Sequence, residues 1–361
     1  NISRFQVWSQ PFWIVLQLIP LLYVFNHPDS NFQNWFSFKG DLEGEGGEFN
    51  ILLFGAASAI LFSLVAQIGE QVDFLRFLPI TTDGAKPIKW WLAVIFAGPG
   101  WIIFGAAKLF LGSYLAYFAL QQGIDRTLAS DPAQMYQIAF GYILNEHVFS
   151  VAIAAIFVIF SQLKINVANA YAGSLAWSNF FSRLTHHHPG RVVWMVFNIL
   201  IALLLMELGV YQTIESMLQV YSVLVLAWVS SVVADLIINK PLGISPAHIE
   251  FRRSKLYDIN PVGTLSMIIA SVAGFCAHSG IWGELAQALG SYVAFLIPFL
   301  TVPVIGLMTK GRYYLVEGTP VIDTNESHSL VEQTCCICEI AFDREDMSFC
   351  PAYSQIICSL C

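Results

Sequence analysis

The sequence predicts an all-α protein that crosses a membrane several times, and two features of its composition lead to this fold class. Hydrophobic residues fill 56% of the 361 positions, whereas only 12% of the positions are charged. Soluble domains carry about 25% charged residues, so an ordinary soluble core is excluded. The apolar residues also cluster in runs of roughly 20, which is the length of helix that spans a bilayer.

Eight apolar runs are predicted to be membrane-spanning helices. In chain order, the runs cover residues 8–25, 50–72, 89–120, 148–182, 191–208, 214–238, 262–281 and 285–307. The third and the fourth run are longer than one simple span needs, which indicates tilted or interrupted helices. Residues 136–147 are a candidate for a short extracellular helix that precedes the fourth span.

The Lys and Arg residues predict the orientation of these spans. The connections between spans form two alternating groups, which hold twelve and two of these residues. Connections rich in Lys and Arg remain on the cytoplasmic side. Residues 309–361 are therefore expected in the cytoplasm, and the acidic stretch 39–48 outside. The larger group is Arg4, Arg76, Lys86, Lys89, Arg183, Arg191, Lys240, Arg252, Arg253, Lys255, Lys310 and Arg312, and the smaller group is Lys39 and Arg126.

The chain divides into three parts. Residues 1–315 hold the spans, residues 316–334 are polar and are expected to be a linker, and residues 335–361 are rich in cysteine. Because the sequence begins at Asn1 and ends at Cys361 among these cysteines, we interpret it as a fragment whose last part is incomplete. No phosphate-binding glycine loop and no arrangement for nucleophilic catalysis is found, so we expect neither an enzyme nor a protein that binds nucleic acid.

The cysteine-rich segment has the spacing of a metal site. Cys335 and Cys338 form one C-x-x-C pair, and Cys358 and Cys361 form another. This spacing is typical of four-cysteine zinc sites, and zinc supplies folding energy that a short segment lacks. An iron–sulfur cluster is the alternative, because further cysteines are available at 336 and 350. We predict structural zinc and no organic cofactor.

Five stretches of the sequence together resemble the nucleobase–cation symporter family, which includes the purine–cytosine permeases. They are QVDFLRFLP at 71–79, NVANAYAG at 166–173, VVADLII at 232–238, FRRSKLYDINPVG at 251–263 and TKGRYYL at 309–315. The resemblance covers about residues 1–315. It implies an inverted repeat of five plus five helices with two added helices, of which helices five to twelve are present. It also implies a bacterial inner-membrane protein with its C-terminus in the cytoplasm.

The resemblance implies a substrate pocket near the bilayer midplane, beside broken helices. Asn169 matches the position at which the family holds its substrate with an asparagine, and Asn166 lies on the same helix. A carboxamide offers one acceptor and two donors, which suits the alternating C=O and N–H edge of a nucleobase or hydantoin. The alternative is an amide bond between helices, which is common in membrane bundles.

Lys164 departs from the family pattern. The family binds sodium with hydroxyls on this helix, and the matching positions here hold Leu163 and Lys164. The Lys164 ammonium is predicted to replace the ion or to carry a proton, which would make the protein independent of sodium. In the alternative interpretation, Lys164 lies at the inner end of its span and extends to the membrane surface.

The second predicted pocket wall is the stretch FSLVAQIGEQVDF at 62–74. Ser63 and Gln67 are candidates for substrate binding, and Glu70 is a candidate for cation coupling, because polar groups within membranes are functional by default. The alternative places Gln67 and Glu70 in a cytoplasmic vestibule. Gly69 would permit a break in the helix.

Asp73 and Arg76 match the D-x-x-R pattern of the same family helix. Their charges lie at the predicted inner face, where we expect them to form an ion pair or to contact lipid headgroups, in a gate or a structural role rather than in substrate binding.

Two functions follow from these expectations. The first is secondary transport of a nucleobase or a related nitrogenous ring, coupled to a cation or independent of sodium. The second is ligand sensing, since a permease-like domain followed by a cytoplasmic cysteine-rich segment resembles the input part of certain bacterial sensor histidine kinases. A kinase domain would then follow in the same chain. The sequence leaves the ligand, the coupling ion and the oligomeric state open.

Overall fold

A computed structural model describes most of the chain. The described residues are 2–27, 32–38, 49–75, 78, 87–144, 146–185, 190–209, 214–250, 255–316, 333–337, 339–342, 344, 347–350 and 353–358. Their α-helices are α1 (Ile2–Phe25), α2 (Phe32–Phe36), α3 (Ile51–Ser63), α4 (Gln67–Leu75), α5 (Ile88–Ala97), α6 (Trp101–Gln121), α7 (Arg126–Ala129), α8 (Pro132–Ile143), α9 (His147–Thr185), α10 (Arg191–Glu207), α11 (Ile214–Ala234), α12 (Pro261–His278), α13 (Glu284–Ala288), α14 (Gly290–Leu296) and α15 (Pro298–Thr309). Their strands are β1 (Gln333–Thr334), β2 (Ala341–Phe342), β3 (Met347–Cys350) and β4 (Gln355–Cys358).

The helices confirm an all-α protein that crosses a membrane several times. Within the described residues, seven segments are long and apolar enough to span a bilayer: Arg4–Phe25, Ile51–Val72, Ile102–Gln121, His147–Phe181, Met217–Asn239, Pro261–His278 and Gly290–Thr309. The fifth predicted run, 191–208, corresponds to α10, which is apolar but has 17 residues. Each of the eight predicted runs therefore contains a helix.

The two long predicted runs differ in structure. The run 89–120 is interrupted between α5 and α6 at the sequence Gly98, Pro99 and Gly100. A Cβ at Gly100 would lie 2.6 Å from the Ile95 carbonyl oxygen, so this turn requires glycine. By contrast, α9 continues for 39 residues, which corresponds to about 58 Å at the usual rise per residue. The short helix expected before it is α8, which begins after Asp131 caps its N-terminus.

The helix break that Gly69 would permit is found a few residues earlier in the chain. A 3₁₀ turn over Leu64–Ala66 separates α3 from α4, and Gly69 is within α4. A Cβ at Gly69 would make ordinary contact with the Trp228 ring at 3.8 Å. The backbone therefore does not require glycine at this position.

The chain forms two compact units. The first unit comprises Asn1–Glu48 and Leu78–Ala172, and the second comprises Phe49–Phe77 and Gly173–Cys361. This division differs from the linear boundaries at 315 and 334 that the sequence suggested. Most of the predicted linker, residues 317–332, lies outside the described residues, and β1 begins within its predicted end.

The cores of the two units differ in side-chain size. The first unit packs large residues of α1, α6 and α8 together: Leu21, Val24, Tyr114, Leu115 and Phe118, with Ala139. The second unit packs small residues of α11, α12 and α14: Val223, Ala227, Ala270 and Ala294. Small residues permit close approach of helices in a membrane bundle.

The described residues of the tail, within 333–358, form two antiparallel strand pairs, each called a hairpin below. Strand β1 pairs with β2, and β3 pairs with β4 in a register that places Met347 opposite Cys358. The Cys336 N–H donates to the Ile356 carbonyl over 3.2 Å, which joins the two hairpins. Cys335, Phe342 and Cys358 form the buried core of the tail.

Candidate functional site

The predicted pocket residues belong to both units, each of which is described by itself. Lys164, Asn166 and Asn169 lie on α9 within the first unit. Ser63, Gln67 and Glu70 lie on α3 and α4 in the second unit, as does Asp73. Arg76 and the side chain of Asp73 lie outside the described residues, so the predicted gate has no structural description.

Lys164 lies near the middle of α9 and is buried, with 8% of its surface exposed. Its Nζ donates to the Ser9 Oγ over 2.7 Å and to the Gln6 carbonyl oxygen over 3.3 Å. The Lys164 carbonyl in turn accepts from the Gln6 Nε2 over 2.8 Å. Two oxygens of α1 therefore hold the ammonium, a geometry that favours an internal role over extension to a membrane surface.

The contact with Lys164 lies at one end of a row of polar contacts that join α1 to α8 and α9, here called the polar seam. Trp13 Nε1 donates to the Ser161 Oγ over 2.9 Å, and Gln17 Nε2 donates to the Tyr136 hydroxyl. The four α1 residues of this seam, Gln6, Ser9, Trp13 and Gln17, recur every three or four positions. They therefore share one face of the helix. The sequence contains this spacing, but the four residues lie in or beside an apolar run that was assigned only as a membrane span.

Lys108 and Tyr136 lie at the edges of the polar seam. The Lys108 Nζ lies 5.3 Å from the centre of the Trp13 ring, a cation–π distance. Burial raises the pKa of Tyr136 to about 12, and the N–H of Gln17 opposes this shift in part. The Tyr136 phenol is therefore uncharged at neutral pH.

Asn166 and Asn169 are exposed on α9. Within the described part of the chain, neither carboxamide has a hydrogen-bond partner, so both remain available to a ligand. Asn198 of α10 does join two helices, because its Oδ1 accepts from Trp177 Nε1 of α9 over 3.1 Å. A Cβ at Gly173 would lie 2.8 Å from the Asn198 Nδ2, so the Asn198 carboxamide would have to shift to admit it. Sequence reasoning did not identify Asn198.

The residues predicted for the second pocket wall, Ser63, Gln67 and Glu70, differ in how deeply they are buried. Ser63 is buried, and its hydroxyl donates to the Ile60 carbonyl over 2.6 Å, a bond within its own helix. Gln67 is exposed, and Glu70 is half-buried. Ser63 therefore offers a ligand an acceptor oxygen rather than a free O–H.

A polar network that the sequence did not predict lies at the end of α11. Here Asp235–Asn239 form a π-helical turn, in which the Lys240 N–H donates to the Asp235 carbonyl over 2.9 Å. The Tyr314 hydroxyl donates to the Asp235 carboxylate and accepts from the Asn239 Nδ2 over 3.1 Å. Burial and the Asp235 carboxylate raise the pKa of Tyr314. Turns of this type recur at functional sites.

The structure describes two of the four predicted metal ligands. Cys335 and Cys358 are both buried in the tail core, while Cys338 and Cys361 lie outside the described residues. The Ile337 N–H donates to the Cys335 Sγ over 3.4 Å, and Glu339 has a φ of 59° and donates its N–H to the Cys335 carbonyl. The tight turn after Cys335 and the buried sulfurs fit a metal site. Among the described residues, no three potential ligands meet.

Comparison with known proteins finds no matching family, no matching curated protein and no matching solved structure.

Proposed function

We propose that the chain is a secondary transporter for a nucleobase or a related nitrogenous ring. The observation that carries the proposal is the buried ammonium of Lys164 within a membrane-length helix. A charge at such a depth is costly and marks ion or substrate pathways. The ligand class comes from the resemblance to the nucleobase–cation symporters, including the match at Asn169, whose exposed carboxamide suits the edge of such a ring.

The surroundings of Lys164 support a role in place of a cation. Its two acceptors are a hydroxyl of Ser9 and a main-chain carbonyl of Gln6. Carbonyl oxygens of this kind replace the hydration shell of a monovalent ion in membrane proteins. A lysine among such oxygens would either put its ammonium in place of the ion or carry a proton, and in both cases transport would not need sodium. Ser63, Gln67 and Glu70 belong to the second unit, and their assignment to substrate binding and cation coupling stays a prediction from the sequence.

The proposal also covers the membrane in which the protein lies, its gate and the metal of its tail. The asymmetry of Lys and Arg supports a tail in the cytoplasm, and the resemblance implies a bacterial inner membrane. Asp73 and Arg76 would form the gate at that face. The tail would hold structural zinc on Cys335, Cys338, Cys358 and Cys361, with an iron–sulfur cluster as the alternative; the metal would supply folding energy and no redox step.

The second candidate function is a sensor, and the tail favours it because its two hairpins share a core of their own. A transporter has no need of a small module with its own core of Cys335, Phe342 and Cys358. In a sensor, ligand binding would act through this module on a kinase further along the chain. Such a protein would bind the same ring without net uptake.

The test is uptake of labelled cytosine, uracil, hypoxanthine, hydantoin and allantoin by proteoliposomes that contain the full-length protein. We expect uptake that is equal with and without sodium and at least tenfold lower in Asn169→Ala. Lys164→Met should make uptake depend on sodium. The matched controls are Asn26→Ala and Lys89→Met, which change exposed residues outside the proposed pocket.

Saturable binding without any uptake contradicts the transporter and supports the sensor instead. Uptake that Asn169→Ala leaves unchanged contradicts the assignment of Asn169 to the pocket. Uptake that needs sodium in the unmodified protein removes the role assigned to Lys164.

A further inference from the structure

A cavity of about 540 Å³ lies at one end of the second unit. Its walls come from the last turns of α11, the loop that follows α11, the start of α12 and the segment after α15. Six of its lining residues carry the argument: Trp228, Asp235, Glu250, Asn260, Thr264 and Tyr314. The volume falls within the range of small-molecule sites. The residues predicted to form the Asn169 pocket do not line this cavity.

Asp235 presents an acceptor to the cavity. Its Oδ1 accepts the Tyr314 hydroxyl, and in the described residues its Oδ2 has no hydrogen-bond partner. Tyr314 is fixed from its other side by the Asn239 Nδ2, and Asn239 is fully buried. The carboxylate is therefore held in one orientation with one oxygen available.

Asn260 and Thr264, which also line the cavity, present donors. The Asn260 Oδ1 caps α12 by accepting from the Val262 N–H over 3.0 Å. This bond identifies the remaining amide group, Nδ2, as the part of Asn260 that can donate to a ligand. The Thr264 hydroxyl lies one turn further along the same helix. The cavity thus combines a fixed acceptor with fixed donors.

Trp228 adds an aromatic side chain to the cavity lining. Its ring is 41% exposed and lies beside Gly69 of α4, where a Cβ would be 3.8 Å away. An exposed indole of this kind offers a flat surface to a planar ring.

The charges of the cavity disfavour an anion. Glu250 lies 3.9 Å from the Lys255 Nζ, and the Lys240 Nζ is bound to the Pro246 carbonyl over 2.5 Å. The Asp235 carboxylate is therefore the charge that the cavity offers to a ligand. A purely apolar ligand would leave the Asp235 oxygen and the Asn260 amide buried without partners, which is costly. A ligand with both N–H and C=O groups would satisfy both of these groups.

We propose that this cavity binds a planar nitrogenous ring, which donates an N–H to Asp235, accepts from Asn260 through a C=O and stacks on Trp228. The proposal deepens the proposed function, because it adds a second site for the same ligand class. It rests on residues other than Lys164 and Asn169. A ring bound here would also lie against Tyr314, at the start of the segment that leads to the tail.

The test is equilibrium binding of radiolabelled cytosine, uracil, hypoxanthine and hydantoin to the full-length protein in nanodiscs. Asp235→Asn replaces the free acceptor oxygen by a donor but retains an oxygen for Tyr314. Asn260→Asp retains the oxygen that caps α12 but removes the donor. We expect each change, and Trp228→Leu, to weaken binding at this site at least tenfold. Asp258→Asn, a change in the exposed loop before α12, is the control and should have no effect.

The proposal is overturned if no ring of the panel binds, or if Asp235→Asn and Asn260→Asp leave the affinity within twofold of the unmodified protein. Preferential binding of guanidinium or choline also overturns it, because a cation needs Asp235 but not the Asn260 donor. Failure of the proposed function gives a different result. In that case uptake is absent or insensitive to Asn169→Ala, while binding still depends on Asp235 and Asn260.

Discussion

Lys164 keeps its ammonium within a membrane-length helix because α1 supplies two oxygens to it. A buried charge without such partners would lose its hydration at a large cost in free energy. The sequence showed the charge inside an apolar run, but it could not show the partner, since Ser9 lies 155 residues earlier in the chain. The same limit applies to Asp235 and Tyr314, whose contact joins positions 79 residues apart.

Tyr136 allows a prediction on pH. Burial raises its pKa from 10.0 to about 12, so the folded protein binds this proton more tightly than the unfolded chain does. The stability that this difference contributes is fully present below pH 10 and is lost as the pH rises through about 12. We expect the ultraviolet absorbance of the phenolate to show a late titration step that Tyr136→Phe removes.

The control for this titration is Tyr257→Phe, which changes an exposed tyrosine of a loop. If Tyr136→Phe instead removes a step near pH 10, the Tyr136 phenol is not buried against Gln17 in solution.

Helices and their breaks were predictable to different degrees. All eight runs contain helices, because burial in a bilayer needs only length and apolar composition. The interruption after Ala97 was anticipated in general terms, and its Gly-Pro-Gly sequence explains it. The 3₁₀ turn over Leu64–Ala66 has no such signal. Its residues are ordinary helix formers, so packing and not local propensity decides its position.

The contact between α3 and α13 gives a prediction at the level of the element. A Cβ on Gly55 would lie 2.0 Å from the Ala288 carbonyl oxygen, so the two helices must separate to admit it. Overpacking of this kind costs about 1–3 kcal/mol. We therefore expect Gly55→Ala to lower the thermal unfolding midpoint of the purified protein by several degrees.

Gly105→Ala is the matched control, because Gly105 is also within an apolar helix and has no atom within 4 Å of the added Cβ. This change should leave the midpoint unchanged or raise it, since alanine favours helix over glycine. Equal midpoints for the two variants would show that α3 and α13 are not in contact at Gly55.

At the level of the whole molecule, the predicted site and the observed units divide the chain differently. Sequence reasoning assembled one pocket from residues 62–74 and 163–169, guided by the resemblance. The structure assigns these stretches to separate compact units and adds a cavity around Asp235 that no motif indicated. Hydropathy determines which residues enter the membrane, but the packing of helices from distant parts of the chain determines which polar groups meet.

The tail gives the last prediction, which concerns metal. Its strands are short and its described core holds few large side chains, so we expect its folding to depend on a metal at the cysteines. Elemental analysis of the full-length protein should find zinc, and Cys335→Ser and Cys358→Ser should each abolish it. Chelation should expose the tail to protease, while the circular dichroism of the helices persists, because the spans do not contain the metal ligands.

Cys276→Ser is the control for these variants, because Cys276 lies in α12 and outside the tail. It should retain the zinc and the resistance of the tail to protease. Iron with visible absorbance, lost in the same two variants, would assign an iron–sulfur cluster to these cysteines instead. A tail that resists protease without any metal would show that Cys335 and Cys358 pack as apolar residues in the core of the tail and hold no zinc.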